Sequence, residues 1–161
     1  MAHDIPAGEP YRGDATSARF ALVCSRFNAR YTRALLDHAV AELQVLAPGA
    51  PFDVFETPGS YEIPLMAQSV LRKRDYTAVL CFGLIFQGAT RHADLIAGAI
   101  TQGLMQVGLE AGRPVVHEIL MVADEAQAEE RCFGQRINRG IEAARAAVTM
   151  ANALHDLAES E

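Results

Sequence analysis

The stretch Tyr76-Thr-Ala-Val-Leu-Cys-Phe-Gly-Leu-Ile-Phe86 is an almost unbroken hydrophobic run that stops abruptly at Gln87-Gly88-Ala89-Thr90, where a long helical pattern begins. Apolar residues at consecutive rather than alternate positions belong to a strand covered on both faces. Small residues follow where that strand ends, and the first amides of the next helix have no partner within it. A helix N-terminus of this kind favours anions, because the free N–H groups and the helix dipole act together. His92 lies two residues past Thr90. An imidazole titrates near neutral pH and can serve as general acid or base beside a bound phosphate.

Outward from this segment the chain alternates between two periodicities. Arg19 to Ser25 reads as a buried first strand. Leu35, Leu36, Ala39, Val40, Leu43 and Leu46 mark one face of a helix over 29–46, ended by Pro48-Gly49 and Pro51. Phe52 to Thr57 is a short second strand, stopped by Pro58-Gly59. A second helix covers Glu62 to Arg74 with Pro64 in its first turn, where a missing N–H is harmless. The third strand is Thr77 to Phe86 and the third helix Thr90 to Glu110, closed by Ala111-Gly112 and Pro114. Val115 to Val122 is the fourth strand, Glu125 to Cys132 a short helix, and Asn138 to Leu157 the last helix. This alternation predicts an α/β fold, a four-stranded parallel sheet with helices on both faces. Residues 1–17, with glycine, proline and no periodicity, read as an extended tail, and 18–161 as one α/β domain.

Composition bounds the function. The chain has 161 residues, 50% hydrophobic and 21% charged, as expected for one globular domain with a substantial core. A net charge of −6 argues against nucleic acid as partner, since phosphate backbones want a basic face. No apolar run is long enough to span a bilayer and no signal-peptide core is visible, so a cytoplasmic location without membrane contact is expected. Cys24, Cys81 and Cys132 are scattered, with no CxxC and no histidine pair at ligand spacing, so no metal is expected.

In parallel sheets ligands bind at the carboxyl ends of the strands, and the unusual motifs fall there. Phe27, after the first strand, either stacks on a flat heterocycle or folds back into the core. Ser60, Tyr61 and Glu62 either bind a ligand's polar edge or cap the second helix, with Ser60 as the cap. Ala89 and Thr90 would wrap a phosphate, a weak signal alone because no Gly-Lys-Ser/Thr follows. His92 is a proton-transfer group or a surface histidine near Asp94. Arg131 and Arg139 either pair a phosphate or are solvated. His117, within the fourth strand, packs on neighbours or lies at an interface.

Taken in order, Ser25-Arg-Phe-Asn28, Pro58-Gly-Ser-Tyr-Glu-Ile-Pro64, Gly88-Ala-Thr-Arg-His92-Ala-Asp94, Gly103-Leu-Met-Gln-Val-Gly-Leu-Glu110, Glu130-Arg131 and Asn138-Arg-Gly140 resemble the 6,7-dimethyl-8-ribityllumazine synthases of riboflavin biosynthesis. The similarity runs over roughly residues 19 to 155. It implies a flavodoxin-like three-layer sandwich. It also implies condensation of 5-amino-6-(D-ribitylamino)uracil with 3,4-dihydroxy-2-butanone 4-phosphate to the lumazine, phosphate and water, without cofactor or metal. By position, Phe27 would stack on the pyrimidine, and Ser60, Tyr61 and Glu62 would hold its edge and ribityl chain. Leu84, Ile85 and Phe86 would line the other side. Ala89, Thr90 and Arg131 would bind the phosphate, and His92 would shuttle protons.

Four positions depart from the family's usual residues: Arg91 for proline, Gln87 for arginine, Arg139 for lysine, and His117 for a phenylalanine at the pocket wall. The resemblance further implies a pentamer with sites between adjacent subunits, and in some members decamers or 60-subunit shells. The alternatives are a non-catalytic flavin- or lumazine-binding homologue and an unrelated flavodoxin-like binding domain. Retention of both His92 and Arg131 speaks against a pure binder.

Overall fold

Strands and helices alternate along the computed structural model, which describes residues 5–160. The strands are β1 (Phe20–Ser25), β2 (Phe52–Thr57), β3 (Ala78–Phe86) and β4 (Val115–Val122). The helices are α1 (Ala29–Leu46), α2 (Ile63–Lys73), α3 (His92–Ala111), α4 (Glu125–Phe133) and α5 (Arg139–Glu159). All strand pairs are parallel, in the order β2-β1-β3-β4. The expected α/β sandwich, with a four-stranded parallel sheet between helical layers, is the observed architecture.

Strand residues alternate between two cores. Phe20, Leu22, Leu80 and Phe82 face the layer of α1 and α5, whereas Val23, Val79 and Cys81 face α2 and α3. Because both faces are covered, β1 and the first seven residues of β3 are buried throughout. The consecutive apolar pattern follows from that burial. The three cysteines are free and buried, packed as small hydrophobes. Residues 5–17 form no regular element and run along α1 and α5: the Tyr11 amide donates to Leu46 O, and the Arg12 amide to Asn152 Oδ1 at 2.8 Å. The first four residues of the expected tail lie outside the described residues.

Several boundaries shift from expectation by one or two residues, and two of the shifts have a local reason. A 3-10 turn, Ser60–Glu62, precedes α2. The Pro64 ring would meet the Ser60 carbonyl in a continuous α-helix, so the first turn tightens instead. Ser60 is therefore not the cap. Gly59 is the flanking residue, and the Glu62 carboxylate accepts its N–H at 3.0 Å. Helix α3 begins at His92 rather than Thr90, its first i to i−4 bond running from the Leu95 amide to Arg91 O. Gly88 to Arg91 remain an open turn.

Candidate active site

From β1 the chain moves outward to β2, then crosses back to β3 and continues to β4. The direction reverses between β1 and β3, the switch point outside whose carboxyl ends sheets of this kind hold their ligand crevice. The residues singled out on β1, β2 and β3 converge on that edge.

After β1 the backbone turns through Asn28, the one described non-glycine residue with positive φ (59°). Asparagine tolerates this left-handed conformation better than most side chains. Its Nδ2 donates to Leu84 O at 2.8 Å, tying the β1 loop to β3. The Arg26 amide donates to Thr57 O and the Phe27 amide to Pro58 O, so the β1 and β2 ends are laced together. With the backbone fastened on both sides, the Phe27 ring projects outward, 72% exposed. It is not folded into the core. Glu56, at the end of β2, pairs with Arg26 and Arg33 beside this loop.

After β2, Ser60 is buried while Tyr61 and Glu62 are exposed at the rim. The turn sits against Gly83: a Cβ at that position would lie 2.4 Å from Ser60 Oγ. Only a residue without a side chain lets the turn approach β3 this closely.

At the end of β3, Leu84 is 1% exposed and belongs to the core. What it offers the crevice region is the carbonyl that Asn28 binds. Ile85 and Phe86 are half-buried, and the Phe86 ring meets the Tyr31 ring edge-on. Gln87 to Thr90 are exposed. Helix α3 has no side-chain cap at Arg91, so the amides of its first turn stay open toward Ala89 and Thr90. His92 is exposed in that turn and makes no hydrogen bond with other described residues. Uncapped helix amides and an exposed imidazole thus lie side by side in the first turn of α3.

The remaining candidates stand apart from this cluster. Arg131 lies on α4, with Nη1 3.4 Å from Gln127 O and 3.6 Å from a Glu130 carboxylate oxygen. Among the described residues no hydrogen bond or ion pair links it to Ala89, Thr90 or His92. His117 is exposed in the middle of β4, paired in register with Cys81, and its Nε2 lies 2.8 Å from Thr101 Oγ1. Five residues separate Cys81 from Phe86, so His117 sits about 17 Å below the carboxyl edge at a strand rise of ~3.3 Å per residue. Arg139, at the start of α5, pairs with Glu142 at 2.6 Å, and its Nε is buried without a partner.

Sequence reasoning passed over Asn28 and Gly83. Asn28 stood inside a quoted motif, and its placement just before a helix after an apolar run was a usable turn signal. Gly83 inside a strand pattern signalled close backbone approach.

A doubly wound α/β architecture with polar motifs at the sheet's switch point, an open helix N-terminus and an exposed imidazole fits a small-molecule enzyme of the α/β class. Comparison with known proteins narrows this. The family model described as 6,7-dimethyl-8-ribityllumazine synthase matches residues 17–155. A protein of that name from Stenotrophomonas maltophilia is 39% identical over 153 residues, covering 91% of this chain and 97% of its own. One from Pyrococcus furiosus is 38% identical over 158 residues, 93% of this chain and 92% of its own. A third, from Desulfotalea psychrophila, is 38% identical over 139 residues, 86% and 90% respectively. The chain belongs to the 6,7-dimethyl-8-ribityllumazine synthase family.

Proposed function

We propose that this chain condenses 5-amino-6-(D-ribitylamino)uracil with 3,4-dihydroxy-2-butanone 4-phosphate to give 6,7-dimethyl-8-ribityllumazine, phosphate and water in riboflavin biosynthesis. The observation that carries the reading is the carboxyl edge at the β1/β3 switch point, which bears an outward-facing aromatic, an open helix N-terminus and an exposed His92. Family membership supports it over the whole domain. Phe27 stacks on the pyrimidine ring. Backbone groups of Ser60 and Tyr61 hold its polar edge, and Glu62 accepts from ribityl hydroxyls. Ile85 and Phe86 form the opposite wall, with Leu84 supporting them from the core. Ala89 and Thr90 hold the phosphate at the α3 N-terminus, and Arg131 adds the positive charge. His92 moves protons during imine formation, phosphate elimination and ring closure. These steps need positioned reactants, a well-held anion and proton relay rather than a protein nucleophile.

The site is shared between copies of the chain. His117 lies well below the carboxyl edge of its own subunit, so in this reading it serves a neighbour's site, as do Arg131 and Arg139. An apolar groove of about 610 Å³ borders His117, lined by Met105, Leu109, Val115, Met150 and Leu154. Met105 and Leu109 are 64% and 75% exposed, unusual for large apolar side chains unless another surface covers them. A pentamer in which this face meets the next subunit fits the groove, with decamers or 60-subunit shells as higher assemblies. The setting is cytoplasmic, and no described helix is long and apolar enough to cross a membrane.

The test is to mix the purified protein with both substrates and follow lumazine absorbance and phosphate release. Turnover well above the spontaneous condensation is expected. A rate equal to the spontaneous one would reject the synthase reading.

A further inference from the structure

Helix α4, which carries Arg131, is nine residues long and buries two side chains, Ala128 and Cys132. A helix this short is marginal without tertiary contacts, and two small side chains supply little apolar hold. Its cap, Asp124 Oδ1 accepting from the Gln127 amide at 2.8 Å, ties the first turn only to itself. Among the described residues two polar links join α4 to other helices or strands, and both come from α1. His38 Nδ1 lies 3.1 Å from Cys132 O, and the Arg30 guanidinium pairs with the Glu129 carboxylate.

Arg30 is held on its flat faces as well. Its Cζ lies 5.2 Å from the centre of the Tyr31 ring and 5.6 Å from that of Phe133, within cation–π range of both. Its Nη1 also donates to the Tyr31 hydroxyl at 3.2 Å. The Tyr31 ring is buried, meeting Phe133 edge-on at 6.2 Å and Phe86 at 5.9 Å. A continuous contact thus runs from the end of β3 through the first turn of α1 to the last turn of α4. Glu129 and Phe133, four residues apart, share one face of α4. Arg131 lies about 200° around the helix from Glu129, with the buried face of Ala128 and Cys132 between them. The clasp grips one side of the helix, and Arg131 leaves from the other.

We propose that Arg30 is a positioning residue: by clasping Glu129 and Phe133 it fixes the rotation of α4, and with it the direction in which Arg131 meets the phosphate of the four-carbon substrate. Arg30 acts through Arg131 rather than on the substrate. Arginine suits this task, because its planar face packs on rings while its edge meets a carboxylate. The inference rests on the reading of Arg131 as a phosphate ligand.

The test combines hydrogen exchange with steady-state kinetics on the intact assembly. Arg30 is exposed, so Arg30→Ala opens no cavity. Two solvent-exposed cation–π contacts and one surface ion pair predict about fivefold faster exchange of the α4 amides from Glu129 onward. KM for the butanone phosphate should rise about threefold, less than the roughly tenfold expected for removing Arg131 itself. KM for the ribitylaminouracil and kcat should barely move. Arg30→Lys, which keeps a charge for Glu129 but not the planar face, should recover part of both effects. In an Arg131→Ala background, Arg30→Ala should add nothing to KM. Unchanged exchange in α4 overturns the proposal. So does an equal rise in both KM values, or a KM effect that persists without Arg131. If Arg131→Ala raises KM for the phosphorylated substrate and Arg30→Ala does not, the clasp is rejected and the phosphate reading stands. No KM effect in either variant rejects the phosphate reading and this inference with it.

Discussion

Replacing Phe27 by alanine separates binding from folding more cleanly than any other change in the crevice. The ring is 72% exposed, so of the roughly 200 Å² a phenylalanine side chain carries, about 140 Å² is open to solvent. A stacked pyrimidine covers one face, about half of that. At ~25 cal/mol per Å², the contact contributes about 1.5–2 kcal/mol, or a 10- to 30-fold change in affinity. The folded chain loses almost nothing, because no cavity opens and the loop is held by the Asn28–Leu84 bond and by two backbone bonds to Thr57 and Pro58. Unfolding free energy is expected to stay within about 0.5 kcal/mol of the wild type, as for other surface changes. The assay is equilibrium titration with the ribitylaminouracil or the lumazine, beside urea unfolding of the same preparation. Affinity unchanged within twofold would refute the stacking role. A stability loss of several kcal/mol, as for a buried ring such as Phe82, would refute the geometry.

Arg131→Ala should chiefly raise KM for the butanone phosphate, by about tenfold or more for a lost charge-assisted contact, whereas His92→Ala should lower kcat with both substrates bound. Steady-state kinetics varying one substrate at a time distinguishes the two, and an unchanged KM in Arg131→Ala would displace the phosphate assignment. Gly83→Ala places a methyl 2.4 Å from Ser60 Oγ. It should cost about 1–3 kcal/mol and displace the 3-10 turn. Adding Ser60→Ala should recover part of the loss in denaturant unfolding, and full stability of Gly83→Ala alone would contradict the packing described. Asp53 accepts from Arg19 Nη1 at 2.9 Å and from the Tyr76 hydroxyl at 2.8 Å, and these bonds hold its carboxyl below the ordinary range. A depressed folded-state pKa means the contribution is complete above the ordinary carboxylate value and is lost as pH falls through the lowered one. Urea unfolding of Asp53→Asn should therefore show a shallower acid-side decline than the wild type, and parallel curves would remove Asp53 from the acid response.

Much of the architecture was legible because the signals are local. Helix α1 and strands β2 and β4 have the bounds that periodicity and the Pro/Gly breaks indicate. Consecutive apolar residues marked β1 and β3 as strands covered on both faces. Where the reading stopped short, a non-local contact decided. Ser60 has the chemistry of a helix cap, yet Pro64 tightens the first turn and Glu62 does the capping. Phe27 stood between core and solvent until the loop bonds to Thr57, Pro58 and Leu84 turned it outward. Leu84 sits beside the crevice in sequence but points into the core by strand alternation.

By itself the sequence determined the α/β alternation, the parallel sheet and the clustering of polar motifs at strand ends, since these depend on side-chain periodicity along neighbouring residues. It also carried enough ordered motif to indicate the family. Tertiary structure alone decided which motifs share a crevice. The switch point between β1 and β3 brings Phe27 to the same edge as Thr90 and His92, while register with Cys81 leaves His117 far below it. Distances between residues far apart in the chain follow from strand order and register, and no local pattern encodes either.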